Sequence, residues 1–300
     1  MIWNNLLWIV MFLSLYGPGI MGNIFIFVKH VHTLVTGTER KPTDLILIQL
    51  AFSNITIICT LELKDIATDF YFRKFLGKID CRLVVFLGRL ARGLSICTTC
   101  LLSMVQAVTI NPRITLWRKL KPQTAGQVLP YLFLFWIFNS LISSNLLHYI
   151  TAVTNVNRSV VGTYGRYCYM LPSSPRVRWL FISLMALRDV VFQSLMGWSS
   201  ASMAVHLYKH HKRVSYLHSS KCVNNSSPEI RATLSTLILM TCFLFFYWAD
   251  FLFSCYTGFT GEHDYIISAI KSFLEPGYAV LSPFVLISRD VHVAKFWNIH

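Results

Sequence analysis

Seven stretches of mostly apolar residues, 19 to 29 long, divide this chain: 6–28, 45–63, 83–110, 128–150, 179–207, 233–259 and 265–287. A helix rises 1.5 Å per residue, so each stretch is long enough to cross about 30 Å of hydrocarbon. Helices satisfy every backbone polar group internally, which hydrocarbon demands. The composition leaves little room for a soluble alternative: 54% of the 300 residues are hydrophobic and 13% charged, against roughly 25% charged in a soluble domain. The sequence therefore predicts an all-α membrane protein in which residues 1–300 form one seven-transmembrane helix bundle. The seventh stretch is the least regular, because Lys271, Glu275, Pro276 and Pro283 interrupt it.

The net charge of +14 would point a soluble protein toward nucleic acid. Here the basic residues sit mostly in the short connections, where positive charge orients helices in a bilayer, and no nucleic-acid partner is expected. No Lys or Arg precedes residue 6, whereas Lys29, Arg40 and Lys41 follow the first stretch, which predicts an outside N-terminus and an inside C-terminus. On that topology the inside segments hold 14 of the 27 Lys and Arg residues. The first stretch lacks a basic leader and a small-residue cleavage site, so it is expected to remain as an anchor.

That orientation sorts the modification signals. Asn157-Arg158-Ser159 falls outside and is the expected glycosylation site; Asn54 heads a sequon inside a span, and Asn224 and Asn225 fall on the inner side. Of eight cysteines, Cys59, Cys97, Cys100, Cys242 and Cys255 lie in spans and Cys222 inside, leaving Cys81 and Cys168 on the oxidising side. A Cys81–Cys168 bridge would pin the long second outer loop over the third helix; the alternative is two free thiols.

Six ionisable side chains stand deep in the spans: Arg89, Arg92, Arg188, Asp189, Asp250 and Glu275. Measured inward along each helix they share one layer, roughly 10 to 15 Å below the outer surface. Charges in hydrocarbon are costly, so such a layer marks function or a structural lattice. The functional reading places a small ligand among Arg89, Arg92, Arg188, Asp250 and Glu275, with apolar walls from Phe86, Phe192, Trp248 and Phe273. Arg89 and Arg92, three apart, share a helix face; Arg188 and Asp189 should point about 100° apart. The ion-pair lattice reading carries equal weight.

No catalytic pattern stands out. Gly17-Pro18-Gly19-Ile20-Met21-Gly22 matches a dinucleotide fingerprint literally, but it lies in an apolar span, follows no strand and has proline at the tight turn. No zinc-type spacing, nucleophile elbow or phosphate loop occurs, so neither an enzyme, a cofactor nor a metal is expected.

Thr43-Asp44-Leu45-Ile46-Leu47, Gly88-Arg89 through Arg92-Gly93, Thr98-Thr99-Cys100-Leu101-Leu102-Ser103 and Thr109-Ile110-Asn111-Pro112-Arg113 resemble vomeronasal type-1 pheromone receptors. So do Leu187-Arg188-Asp189, Leu195 through Ser200, Ser226 through Thr233 and Ser282 through Ser288, in the same order along nearly the whole chain. Val105-Gln106-Ala107 stands where rhodopsin-like receptors carry Asp-Arg-Tyr, and Ala279 where the family carries proline. The resemblance implies a G-protein-coupled chemosensory receptor for small pheromone-like ligands, at the plasma membrane of vomeronasal sensory neurons. It further implies coupling to a heterotrimeric G protein of the inhibitory class through Arg113, Arg118, Lys119, Lys209, Lys212 and Arg213. For those basic residues, lipid headgroups and orientation are the competing explanation. A taste-like or orphan receptor of the same architecture, or a polytopic transporter, is the alternative function, the last disfavoured because no repeat halves appear. Past the seventh stretch, Val293, Phe296 and Trp297 could lay one amphipathic turn on the membrane.

Overall fold

The computed structural model describes residues 2–37, 41–69, 78–110, 124–152, 168–170, 175–217, 228–260 and 265–297. Among these run seven long helices, one short one and two short strands. In order they are α1 (Ile2–Thr36), α2 (Pro42–Asp69), α3 (Lys78–Ile110), α4 (Ala125–Ser143), α5 (Asn145–Tyr149), β1 (Ile150–Ala152), β2 (Cys168–Met170), α6 (Pro175–Leu217), α7 (Pro228–Thr260) and α8 (Tyr265–Trp297). Each of the seven apolar stretches coincides with a long helix. Four segments, Pro42–Leu61, Arg82–Ile110, Ala125–Tyr149 and Leu180–Lys209, are long and apolar enough to cross a membrane, with shorter apolar cores at Leu237–Phe253 and Phe273–Ser288.

Three details depart from the sequence reading. The fourth stretch breaks at Ser144, whose N–H and Oγ both turn back to the Leu141 carbonyl at 3.3 and 2.8 Å, so the last five residues form α5 as a separate short helix. A small antiparallel pairing then follows, with Ile150 opposite Met170, Thr151 opposite Tyr169 and Ala152 opposite Cys168, so the chain is not purely helical. Finally, α8 continues unbroken past the end of the seventh stretch to Trp297, so Val293, Phe296 and Trp297 belong to the same helix.

Helix α3 is the axis. It touches α2, α4, α5, α6, α7 and β1, and 72% of its apolar segment is buried, against 17% for α6. The distribution of polarity inverts that of a soluble protein. Asn23, Asn54, Ser95, Thr98, Thr99, Ser103 and Asn139 are buried, while Phe133, Leu134, Ile137 and Leu141 of α4 and Leu187 and Trp198 of α6 are exposed. Apolar surface of that extent is compatible with lipid and not with water. Inside, polar groups that pair across helices replace hydrophobic collapse as the source of cohesion.

The first and last helices meet through glycine. A Cβ on Gly19 would stand 3.0 Å from the Val280 backbone, and one on Gly22 would stand 2.9 Å from the Pro283 ring. The literal dinucleotide fingerprint is therefore a packing notch. Pro283 lacks the N–H that would close the helix to Ala279, and the freed Ala279 carbonyl accepts Asn23 Nδ2 at 2.8 Å, which also donates to Gly19 at 2.8 Å. A proline-interrupted helix thus recovers its lost hydrogen bond from a neighbour. Gly22→Leu should lower stability by about 1–3 kcal/mol through overpacking, read as an earlier thermal transition of the purified chain in detergent. Gly17→Ala, at a position where a Cβ meets nothing within 4 Å, should leave that transition in place.

Candidate functional site

Two polar clusters occupy the half of the bundle nearer β1 and β2. In the first, Arg92 Nη1 of α3 lies 2.6 Å from Asp250 Oδ2 of α7, with side chains 20% and 6% exposed. The Arg92 guanidinium also sits over the ring of Tyr247, 4.9 Å from its centroid. Tyr247 and Asp250 are three apart and so present one face of α7 to α3. Glu275 of α8 and Arg92 line a crevice with Ile57, Thr60, Leu61 and Gly88, whose free volume is about 10 Å³. That is room for one water molecule. Gly88 is what lets α2 and α3 close on each other there, since a Cβ would stand 2.9 Å from Thr60 Oγ1.

The second cluster joins α3, α4 and α6. Arg188 is buried, donating from Nη1 to Asn139 Oδ1 at 2.8 Å and from Nε to Asp189 Oδ1 at 2.8 Å, with Nη2 2.7 Å from the same carboxylate oxygen. Asn139 Nδ2 in turn donates to the Phe135 carbonyl at 2.8 Å and faces Cys97 Sγ at 3.6 Å. All of this lies against Gly93, where a Cβ would collide with Asn139 Oδ1 and Arg188 Nη1.

Against the sequence reading, the charge layer is real but divided. Arg92 and Glu275 line the crevice, with Asp250 paired to Arg92 behind it, whereas Arg188 is held at the α3–α4–α6 junction. Arg188 and Asp189 do not diverge, because the long arginine side chain folds back onto the adjacent carboxylate. Arg89 and Arg92 share a helix face but splay: Arg89 Nη1 reaches Met185 Sδ of α6 at 3.2 Å while Arg92 reaches α7. Glu275 remains within Coulombic range of both. The expected apolar walls are revised too. Trp248 is 43% and Phe273 52% exposed on the outside of the bundle, and Phe192 packs edge-on against Phe135. Helix rotation puts Tyr247 inward in place of Trp248.

Several interior polar residues gave no motif in the sequence. From Ser95 of α3, a hydrogen-bonded column descends the bundle. Ser95 Oγ donates to Asn54 Oδ1 at 3.2 Å, and Asn54 Nδ2 donates to Ser282 Oγ at 2.9 Å and Asn23 Oδ1 at 3.3 Å. Beside it, Thr99 commits its proton to the Ser95 carbonyl at 2.7 Å, so the Tyr278 hydroxyl donates to Thr99 across 3.3 Å. Nearer the opposite end, His30 Nδ1 lies 2.9 Å from Asp44 Oδ1, joining α1 to α2. An amide inside an apolar run was the available signal for Asn23, Asn54 and Asn139.

Other expected sites fall at or beyond the edge of the described residues. Arg113, Arg118, Lys119 and Asn157 lie outside them; Lys209 and Lys212 are exposed on α6, and Arg213 continues that helix. Cys168 stands in β2, opposite Ala152 in the strand that packs on α3, while the Cys81 side chain lies outside the description. Gly93→Ala should separate Asn139 and Arg188 from α3 and cost stability, whereas Arg188→Met should cost more, about 3–5 kcal/mol, by leaving Asp189 without its partner. Thermal unfolding in detergent should rank the Arg188 variant below the Gly93 variant and both below the parent.

The site can be set beside known proteins. A family model described as the vomeronasal organ pheromone receptor family matches residues 8–299. The chain is 33% identical to rat vomeronasal type-1 receptor 94 over 287 residues, covering 95% of this chain and 87% of that protein. It is 31% identical to human vomeronasal type-1 receptor 4 over 286 residues, covering 95% of each, and 33% identical to mouse vomeronasal type-1 receptor 45 over 285 residues, covering 95% and 89%. These relatives are named as receptors and not as enzymes. With a match of that span, the chain belongs to the vomeronasal type-1 pheromone receptor family.

Proposed function

We propose that the chain is a G-protein-coupled chemosensory receptor whose small ligand enters at the Arg92–Asp250–Glu275 crevice. The observation that carries this reading is the ion pair between Arg92 and Asp250, which ties α3 to α7 beside a crevice whose other lip is Glu275 on α8. Three helices converge there on groups whose pairing a ligand can exchange. The crevice is small against the about 300–1,000 Å³ of an occupied ligand pocket, so a ligand enters only by drawing helices apart. Binding and helix movement are then one event, which is the thermodynamic requirement for a receptor: the ligand must favour one arrangement over the other.

In this reading the N-terminus, Asn157 and the strand pair face outside, the Cys81–Cys168 bridge holds β2 against the mouth of α3, and the chain resides in the plasma membrane of vomeronasal sensory neurons. Signalling passes at the opposite end, where Lys209, Lys212 and Arg213 extend α6 and Arg113, Arg118 and Lys119 follow α3. Their partner is a heterotrimeric G protein of the inhibitory class. Support for the coupling surface comes from the family and from the exposure of Lys209 and Lys212.

In cells expressing the chain with a promiscuous G protein, Arg92→Ala and Glu275→Gln should each raise the effective ligand concentration at least about 10-fold, or 1.4 kcal/mol, at unchanged surface expression. An intact response in both would remove the crevice from the mechanism. For topology, an N-terminal epitope should be labelled on intact cells and a C-terminal one only after permeabilisation. Cys81→Ser, Cys168→Ser and the double variant should lose surface expression to the same extent, since either single change breaks the same bond; additive losses would mean two independent thiols.

A further inference from the structure

We infer that the furrow between α3 and α6 is a lipid site: it holds a phospholipid with an anionic headgroup, whose acyl chain lies in the furrow and whose phosphate meets Lys209 and Lys212. The site is separate from the crevice, since Met104 at the furrow stands about 18 Å along α3 from Arg92.

Met104, Ala107 and Val108 of α3 stand across the furrow from Leu195, Trp198 and Ser202 of α6, around a free volume of about 20 Å³. That is far below the about 300–1,000 Å³ that encloses a small ligand, so the furrow is a wall for a chain lying along it. It opens toward lipid, because Trp198 is 71% exposed. Ser199, also on the wall, commits its hydroxyl proton to the Leu195 carbonyl at 2.9 Å, which leaves the surface mostly apolar.

The spacing along α6 joins this wall to a cation. Leu195, Trp198, Ser202 and Lys209 follow one another at intervals of three, four and seven residues, so one stripe of the helix carries the furrow down to the lysine. At 1.5 Å per residue, Ser202 and Leu195 lie roughly 10 and 21 Å from Lys209. One leaflet holds about 15 Å of hydrocarbon. A lipid whose phosphate sits at Lys209 therefore runs its chain past Ser202 toward Leu195.

Charge selects the headgroup. Lys209 and Lys212 are exposed, and among the described residues neither enters an ion pair. The chain has no acidic residue between Asp189 and Glu229, and none between Asp80 and Asp189, a stretch that includes the whole connection after α3. An anion for these lysines thus comes most directly from the bilayer, where a lysine near the surface favours anionic over zwitterionic lipid. The lysine stem can lie on apolar surface while its ammonium reaches headgroup level. A soluble anion satisfies the lysines and leaves the furrow empty; a phospholipid satisfies both.

The test uses the full chain in phosphatidylcholine nanodiscs containing a trace of phosphatidylserine, or of phosphatidylcholine with the same chains, that carries a photoreactive diazirine midway along one acyl chain. No G protein is present. After irradiation, labelled residues are mapped by mass spectrometry. Phosphatidylserine should label the segments 104–108 and 195–202 at least about 5-fold more than phosphatidylcholine does, the preference that one lysine supplies. The two lipids should label exposed Phe133 and Leu134 of α4 equally. Lys209→Gln with Lys212→Gln should bring phosphatidylserine labelling of the furrow down to the phosphatidylcholine level, whereas Lys209→Arg with Lys212→Arg should retain the preference; an unchanged thermal transition shows that both variants are folded. Equal labelling by the two lipids in the parent chain, a serine-lipid preference of the same size on α4, or a preference that survives the glutamine variant overturns the inference. A glutamine variant that loses its response in cells yet keeps its lipid preference assigns the lysines to the G protein, which sinks the lipid site and leaves the coupling reading standing.

Discussion

Polar groups in the interior of this bundle draw their partners from the protein, because hydrocarbon supplies none. That constraint organises the structure more strongly than apolar packing does, since lipid tails favour apolar contact no less than a neighbouring helix would. Its clearest expression is the column from Ser95 to Asn54, Asn23 and Ser282, which joins α3, α2, α1 and α8 in one hydrogen-bonded system. The same rule accounts for the Ala279 carbonyl, freed by Pro283 and taken up by Asn23.

The deep charges obey that rule in two different ways. Arg188 is surrounded: Asn139, Asp189 and the notch at Gly93 leave it no freedom, and its cluster is the joint by which α4 and α6 hold to the axis. Arg92 is held by Asp250 and the Tyr247 ring on one side and borders open space on the other. A fully enclosed ion network resists rearrangement, whereas one that borders a crevice can exchange partners when something enters. Charges at equal depth in the sequence thus divide into a fixed joint and an adaptable one.

Helix number was legible in the sequence, because apolar runs of membrane length need no knowledge of packing. What lay beyond reach was rotation. Trp248 and Tyr247 are neighbours in an aromatic run with no polar stripe to mark a face, and only contact with α3 decides which turns inward. Side-chain reach defeated the simple angular argument as well: Arg188 and Asp189 leave the helix in different directions, yet a long guanidinium spans the difference. The break at Ser144 left no proline or glycine to announce it. Conversely, Gly17 to Gly22 had a pattern that pointed to the wrong chemistry, and Gly19 and Gly22 are explained only once Val280 and Pro283 stand opposite them.

The meeting of α1 with α8 has a consequence for biosynthesis. A ribosome delivers the first helix to the translocon long before the last, so throughout insertion the Asn23 amide and the bare glycine groove travel without the carbonyl and the proline ring that complete them. Until the final segment arrives, the Asn23 amide has only the Gly19 carbonyl of its own helix to donate to, and its second hydrogen waits for Ala279.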